Sequence, residues 1–172
     1  FEACACWWLL WAERADNWRL GAKPGQRACG DFAAAIAQGE PLTMGVSPAQ
    51  FQNGMAMLPT QVRVVEMTSN DSWMRDGGRT FVANGDGEVR AVNWKFNAWG
   101  GLEGGLYFPW DQDDIVPLKV AHIERMDWYS APIVLEGGSI HTDGEGTLMV
   151  TEECLLKHNR NPSLTRSEEH TS

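Results

Sequence analysis

The stretch Asn70-Asp71-Ser72-Trp73-Met74-Arg75-Asp76 places an indole and a carboxylate three residues apart, just before the glycine pair Gly77-Gly78. A carboxylate accepts two parallel N–H bonds and therefore suits a guanidinium or amidinium group. An indole face nearby attracts the same cation and covers its apolar stem. The stretch predicts a pocket for a positively charged guanidino compound that uses Trp73 and Asp76. These residues alone leave open a surface turn with a buried Trp and an Arg–Asp pair.

A second acidic residue is also followed by two glycines, 60 positions later, in Glu136-Gly137-Gly138. In both places the order is a predicted strand, a carboxylate, Gly-Gly and then a predicted hairpin, which is an internal repeat of two copies. If a rotation relates the copies, Asp76 and Glu136 occupy equivalent places at the same end and converge on one cavity. Two convergent carboxylates are what acid–base or cation-binding chemistry requires.

The other reactive side chains carry weaker signals. His141 lies between apolar positions, which favours a structural role, and no histidine has an obvious claim to activate Cys154 as a nucleophile. No His or Cys spacing is typical of a metal site, and the four cysteines form no CxxC pair. We therefore expect free thiols and no metal site.

The totals indicate one globular domain. The chain has 172 residues, 43% of them apolar, which is enough for a core. A net charge of −9 argues against nucleic-acid binding and fits a small cationic substrate. No apolar run reaches the length of a membrane span.

The hydrophobic pattern predicts an α/β fold in which helices alternate with strands. The Asp76 segment follows one predicted strand and the Glu136 segment another, so strand ends position both acids. The predicted strands cover 6–11, 42–46, 62–67, 80–83, 89–92 and 147–151, and the predicted helices run from Pro24 to Gly39, from Pro48 to about Leu58 and from about Val116 to Met126, the last capped by Asp113 or Asp114.

Several longer stretches resemble agmatine deiminases, members of the guanidino-modifying pentein superfamily. They are Trp11–Arg14, Asp16–Arg19, Asn70–Asp76, Phe96–Gly101, Gly105–Asp111, Leu135–His141, Thr151–Leu156 and Asn159–Pro162. The resemblance implies a five-bladed α/β propeller with a pseudo-fivefold axis, of which about half of the blades are present. It covers residues 1–166 as the N-terminal part of a single propeller domain, and 167–172 read as a non-domain tail of foreign character.

The resemblance also implies a reaction. Agmatine is hydrolysed to N-carbamoylputrescine and ammonia through a thiouronium intermediate on a cysteine, without metal or organic cofactor. Carried over by position, Asp76 and Glu136 belong to the catalytic set, Asp76 grips the guanidinium and Trp73 flanks the substrate. Glu136 orients the catalytic histidine or contacts the guanidinium.

The sequence departs from the family in ways that bear on activity. It contains no Gly-His-x-Asp motif, and no cysteine stands in the nucleophile's context. Arg79 occupies a position where the family usually has Pro. The absence of an initial Met suggests a fragment. We therefore expect the chain by itself to be inactive.

The expected setting is cytoplasmic putrescine biosynthesis, with agmatine as partner, no nucleic acid or membrane, and a full-length enzyme able to form homo-oligomers. Two alternatives stay open. One is a peptidyl-arginine deiminase-type enzyme, which shares the carboxylate and nucleophile chemistry. The other is a non-catalytic ligand-binding module that uses the nine Trp side chains.

Overall fold

The computed structural model describes residues 5–166. The chain divides after Met74 into two compact units, which we describe separately. Cys4 and the predicted tail at 167–172 lie outside the described residues. Within residues 5–166, no helix is both long enough and apolar enough to cross a membrane.

The first unit is built on a three-stranded parallel sheet with the strand order β1-β2-β3. Every residue of the central strand is buried, which is expected when helices cover both faces of a parallel sheet. The elements are β1 (Trp7–Leu10), α1 (Lys23–Ile36), β2 (Leu42–Val46), α2 (Phe51–Met57) and β3 (Arg63–Glu66). The core between sheet and helices contains Trp11, Ala33, Leu42, Met44, Val46, Leu58 and Val62. The predicted strands and the Pro24 helix are confirmed.

The predicted start of the second helix is wrong. The sequence placed Pro48 at the first helical position, but α2 begins at Phe51. The Ser47 hydroxyl accepts the N–H of Gln50 at 3.3 Å and donates to the Glu13 carboxylate at 2.7 Å. Ser47 thus closes a separate turn before the helix and ties it to the segment after β1.

The second unit contains a mixed sheet with the order β4-β5-β6 and a separate hairpin, β7-β8. Strands β4 and β5 are antiparallel, as their turn residues predict, whereas β5 and β6 are parallel and are joined through helices. The elements are α3 (Met74–Gly77), β4 (Thr80–Ala83), β5 (Val89–Lys95), α4 (Asp111–Asp114), α5 (Val116–Glu124), β6 (Trp128–Val134), β7 (Ile140–Thr142), β8 (Leu148–Val150) and α6 (Glu152–Leu156). Both hairpins follow an acidic-Gly-Gly segment, in the order the sequence predicts.

The predicted cap of α5 is also wrong. Neither Asp113 nor Asp114 is the residue before the helix, which is Ile115. Asp113 is buried and accepts the Tyr107 hydroxyl, while Asp114 accepts the backbone N–H of Phe96 at 2.8 Å. Both carboxylates are therefore used to hold the glycine-rich loop between β5 and α4.

Candidate functional site

Trp73 belongs to the first unit, where its indole is held in place by neighbours from two segments. The ring is half-buried and its N–H donates to the buried carboxylate of Asp71 at 2.7 Å. It stacks on Trp18, with ring centroids 5.7 Å apart and an interplanar angle of 25°. Such a pair fixes the plane of Trp73 as well as its position.

Asp76 lies in α3, in the second unit. Its Oδ1 accepts the backbone N–H of Gly138 at 3.2 Å. Burial raises the pKa of the Asp76 carboxyl, and the Gly138 N–H and the charge of Arg75 act in the opposite direction. Asp76 is thus a half-buried carboxylate with one oxygen oriented by the backbone.

The second glycine pair lets the two acidic segments touch. A Cβ built on Gly137 would lie 2.2 Å from the carbonyl oxygen of Arg75, and one built on Gly138 would lie 2.4 Å from Oδ1 of Asp76. A side chain at position 137 would collide with backbone, so this position requires glycine, whereas a side chain at position 138 would force the Asp76 carboxylate to move. The structure therefore packs the segment after Glu136 directly against the segment containing Asp76.

Glu136 itself is 2% exposed. Its Oε1 accepts the Nε–H of Arg160 at 2.6 Å, and the Arg160 side chain is 7% exposed. The second oxygen, Oε2, is buried and has no hydrogen-bond partner among residues 5–166. A buried carboxylate is stable only when it is paired, and here Arg160 supplies the pairing charge. The sequence did not identify Arg160 as part of the site.

The turn that carries Arg160 is fastened to β6 by the next residue. Asn161 accepts the N–H of Val134 and donates to the carbonyl oxygen of the same residue, both at 2.8 Å. It also donates to the carbonyl of Leu155 at 2.8 Å. Because Val134 lies two residues before Glu136, this clasp fixes both partners of the buried ion pair. The only sequence signal for it was the Asn-Arg-Asn-Pro turn.

The glycine-rich loop after β5 is packed by its aromatic residues. Trp99 makes edge contacts with Phe96 and Tyr107, at centroid distances of 5.2 and 6.1 Å. Asn97 donates to the backbone carbonyl of Asn159 at 2.9 Å. A cavity of about 330 Å³ lies between this loop and the turn of Arg160. The loop is thus part of the Arg160 surroundings.

The described cysteines and histidines form no catalytic or metal centre. Burial in an apolar cavity of the first unit raises the pKa of the Cys29 thiol, which disfavours the thiolate. His141 is exposed on β7, and its structural role stays a prediction. Among residues 5–166, no group of three His, Cys, Asp or Glu side chains is arranged to hold a metal ion.

Comparison with known proteins agrees with these features. A family model described as Porphyromonas-type peptidyl-arginine deiminase matches residues 1–171. The chain therefore belongs to that family. Within it, the chain is 60% identical over 163 residues to the agmatine deiminase of Pseudomonas fluorescens, covering 94% of this chain and 44% of the relative.

Solved structures give the same result. The agmatine deiminase of Enterococcus faecalis superimposes with a TM-score of 0.94 at 52% identity, covering 97% of this chain and 46% of that one. A Porphyromonas gingivalis structure provisionally named an arginine deiminase gives a TM-score of 0.79 at 27% identity, covering 96% and 49%. The chain thus has the α/β fold of the pentein deiminases, and spans about half the length of the relatives it matches.

Proposed function

We propose that this chain supplies the guanidinium-binding carboxylates of an enzyme that hydrolyses agmatine to N-carbamoylputrescine and ammonia. In that reaction a guanidinium nitrogen leaves as ammonia and an oxygen atom from water takes its place. The observation that carries the proposal is the clamp on Asp76: a half-buried carboxylate whose oxygen is oriented by the Gly138 N–H. A fixed anion of this kind suits a planar cation better than a mobile surface carboxylate does.

Each of the three predicted site residues has a distinct proposed role. Asp76 binds the guanidinium nitrogens, and Trp73 flanks the substrate with its ring. Glu136 is held by Arg160 in a buried pair and uses its second oxygen, Oε2, to orient a group of the reacting centre. No thiol nucleophile and no histidine acid–base is assigned to this chain, because it contains no Gly-His-x-Asp motif.

Agmatine is favoured over a peptide arginine by the pattern of similarity. Identity to the Pseudomonas and Enterococcus agmatine deiminases is 60% and 52%, against 27% for the Porphyromonas gingivalis structure. We place the reaction in cytoplasmic putrescine formation, in a protein that contains residues 1–166 as part of a single propeller domain and is able to form homo-oligomers.

The proposal can be tested in a chimera in which this chain replaces the stretch of the Pseudomonas fluorescens enzyme that it matches. Ammonia release is measured with agmatine, free arginine and a peptide arginine. We expect activity with agmatine at least about hundredfold above the other two in kcat/KM, and almost none in Asp76→Asn. The control is Asp86→Asn, which changes an exposed carboxylate of the β4–β5 turn. A parent chimera without agmatine turnover, or an Asp76→Asn variant as active as the parent, would contradict the proposal.

A further inference from the structure

The carboxylate of Asp71 accepts hydrogen bonds from four N–H groups of the first unit. It is 1% exposed. Its Oδ1 accepts the indole N–H of Trp18 at 2.6 Å and the backbone N–H of Ser72 at 2.9 Å. Its Oδ2 accepts the indole N–H of Trp73 at 2.7 Å and the side-chain amide of Asn17 at 2.6 Å. The two oxygens together offer about four acceptor sites, and N–H groups occupy four.

Two of these donors come from rings that stack on each other. An indole N–H can only donate, and it needs an acceptor when buried. Asp71 serves Trp18 and Trp73 with different oxygens, so it sets the rotation of each ring within its own plane. Stacking at 5.7 Å then sets the distance between the planes. Bonds to an ionised acceptor are about twice as strong as neutral ones.

Trp18 also packs against α1. A Cβ built on Gly25 in α1 would lie 2.6 Å from the Trp18 ring, so the helix backbone packs against the indole. Trp18 thus contacts both α1 and Trp73.

The anion also changes the ring it binds. A carboxylate that accepts an indole N–H pushes electron density onto the indole, because hydrogen-bonded groups in a low-dielectric interior polarise one another. A more negative ring face attracts a cation more strongly. Asp71 therefore favours cation binding by Trp73 in two ways, by orientation and by polarisation, without itself contacting a ligand.

We propose that Asp71 is a positioning residue, whose buried carboxylate locks the Trp18–Trp73 stack so that Trp73 presents one fixed, electron-rich surface to a guanidino substrate. This inference rests on the proposed function. It makes Asp71 a determinant of substrate affinity, whereas Asp76 contacts the guanidinium directly.

The first test needs no substrate and uses this chain as it stands. In the unaltered chain the indole protons of Trp18 and Trp73 should exchange at least about hundredfold more slowly than those of free indole, measured by NMR. The stacked pair should give an exciton couplet in far-ultraviolet circular dichroism, which Trp18→Phe removes. Asp71→Asn turns one oxygen into an amide that faces two N–H donors, and should abolish the couplet. Asp16→Asn, an exposed change two residues before Trp18, should leave it intact.

The second test is kinetic and uses the chimera. Asp71→Asn should raise KM for agmatine about tenfold and change kcat less than about threefold, because ring orientation contributes to binding. In a Trp73→Phe background the same change should add less than about twofold to KM, because Asp71 acts through Trp73.

The outcomes separate this inference from the proposed function. A parent chimera that releases no ammonia defeats the proposed function, while the exchange and dichroism results still decide the role of Asp71. Rapid exchange of the indole protons in the unaltered chain would overturn the inference. This measurement does not need the Asp71→Asn variant, so it is decisive even if that variant fails to fold. An unchanged couplet in Asp71→Asn, or a KM effect of equal size in the Trp73→Phe background, would also overturn the inference.

Discussion

The backbone N–H of Gly138 donates to Oδ1 of Asp76 at 3.2 Å, and the contact exists because Gly138 has no side chain. These residues are 62 positions apart. The approach brings the two acidic-Gly-Gly segments together and orients the carboxylate that we assign to the guanidinium.

Gly138→Ala should displace Asp76, because the new Cβ would lie 2.4 Å from its Oδ1. A displacement of about 1 Å at a reacting group costs about hundredfold in rate, so kcat/KM for agmatine in the chimera should fall by at least that factor. Gly85→Ala is the matched control, because nothing lies within 4 Å of the Cβ it would add. Equal activity of the two variants would show that the clamp on Asp76 does not matter.

The Asp76→Asn variant should lose activity, and its stability relative to the parent should increase as pH rises. Burial raises the pKa of Asp76, so the folded chain holds this proton more tightly than the unfolded chain does. The stability it contributes is complete below the ordinary pKa of 3.8 and is lost as pH rises through the folded pKa. Asn does not ionise and can still accept the Gly138 N–H.

Urea denaturation of parent and Asp76→Asn chains at several pH values checks this. The variant should become more stable relative to the parent as pH is raised from about 3 through the ordinary pKa of 3.8 toward neutral pH, following the linkage relation. A difference that is constant over this range, or that changes in the opposite direction, would refute the assignment of a desolvated carboxylate to Asp76.

Arg160→Met should be severely destabilising, because it leaves Glu136 as a buried charge without its partner. Removing one partner of a buried pair costs about 3–5 kcal/mol. Lys157→Met is the matched control, because Lys157 lies three positions before Arg160 and forms an exposed ion pair with Glu153. Its loss should cost less than about 1 kcal/mol. Urea denaturation measures both, and similar losses for the two variants would contradict the buried pair.

Arg79→Met should stabilise the second unit. The guanidinium nitrogens of Arg79 are buried and have no hydrogen-bond partner among residues 5–166, and desolvation lowers the pKa to about 10. We expect a gain of about 1 kcal/mol at neutral pH, less than the pKa shift alone implies because solvent screens the partly exposed side chain.

The stability gained by Arg79→Met should shrink as pH rises from about 10 toward 12. In the parent, the buried Arg79 loses its proton in this range, and the cost of burying a cation disappears with it. Arg90→Met provides the contrast, because Arg90 lies over the Tyr129 ring at 5.3 Å and donates to its hydroxyl. That variant should lose about 0.5–1 kcal/mol. A loss of stability in Arg79→Met would show that the Arg79 guanidinium is hydrogen-bonded in the folded chain.

Much of the fold could be predicted because local signals act over a few residues. The apolar run of β1, the Pro24 start of α1 and the turn between β4 and β5 each lie within one short window. The predictions that failed concern the N-terminal ends of two helices, α2 and α5. Ser47 accepts the Gln50 N–H as a cap would, but it does so in a turn before α2 and also donates to Glu13, and Asp113 accepts the Tyr107 hydroxyl. Competition from a distant partner is not visible in a local pattern.

The sequence by itself determined which residues matter and in what order the elements run: a carboxylate, two glycines and a hairpin, twice over, in a stretch typical of the deiminase family. Only the tertiary structure decided how they are used. It placed Gly138 against Asp76, paired Glu136 with Arg160 and gathered two indoles on Asp71. The reason is physical, because motif identity depends on short windows of the chain, whereas burial and charge pairing depend on contacts between residues that are tens of positions apart.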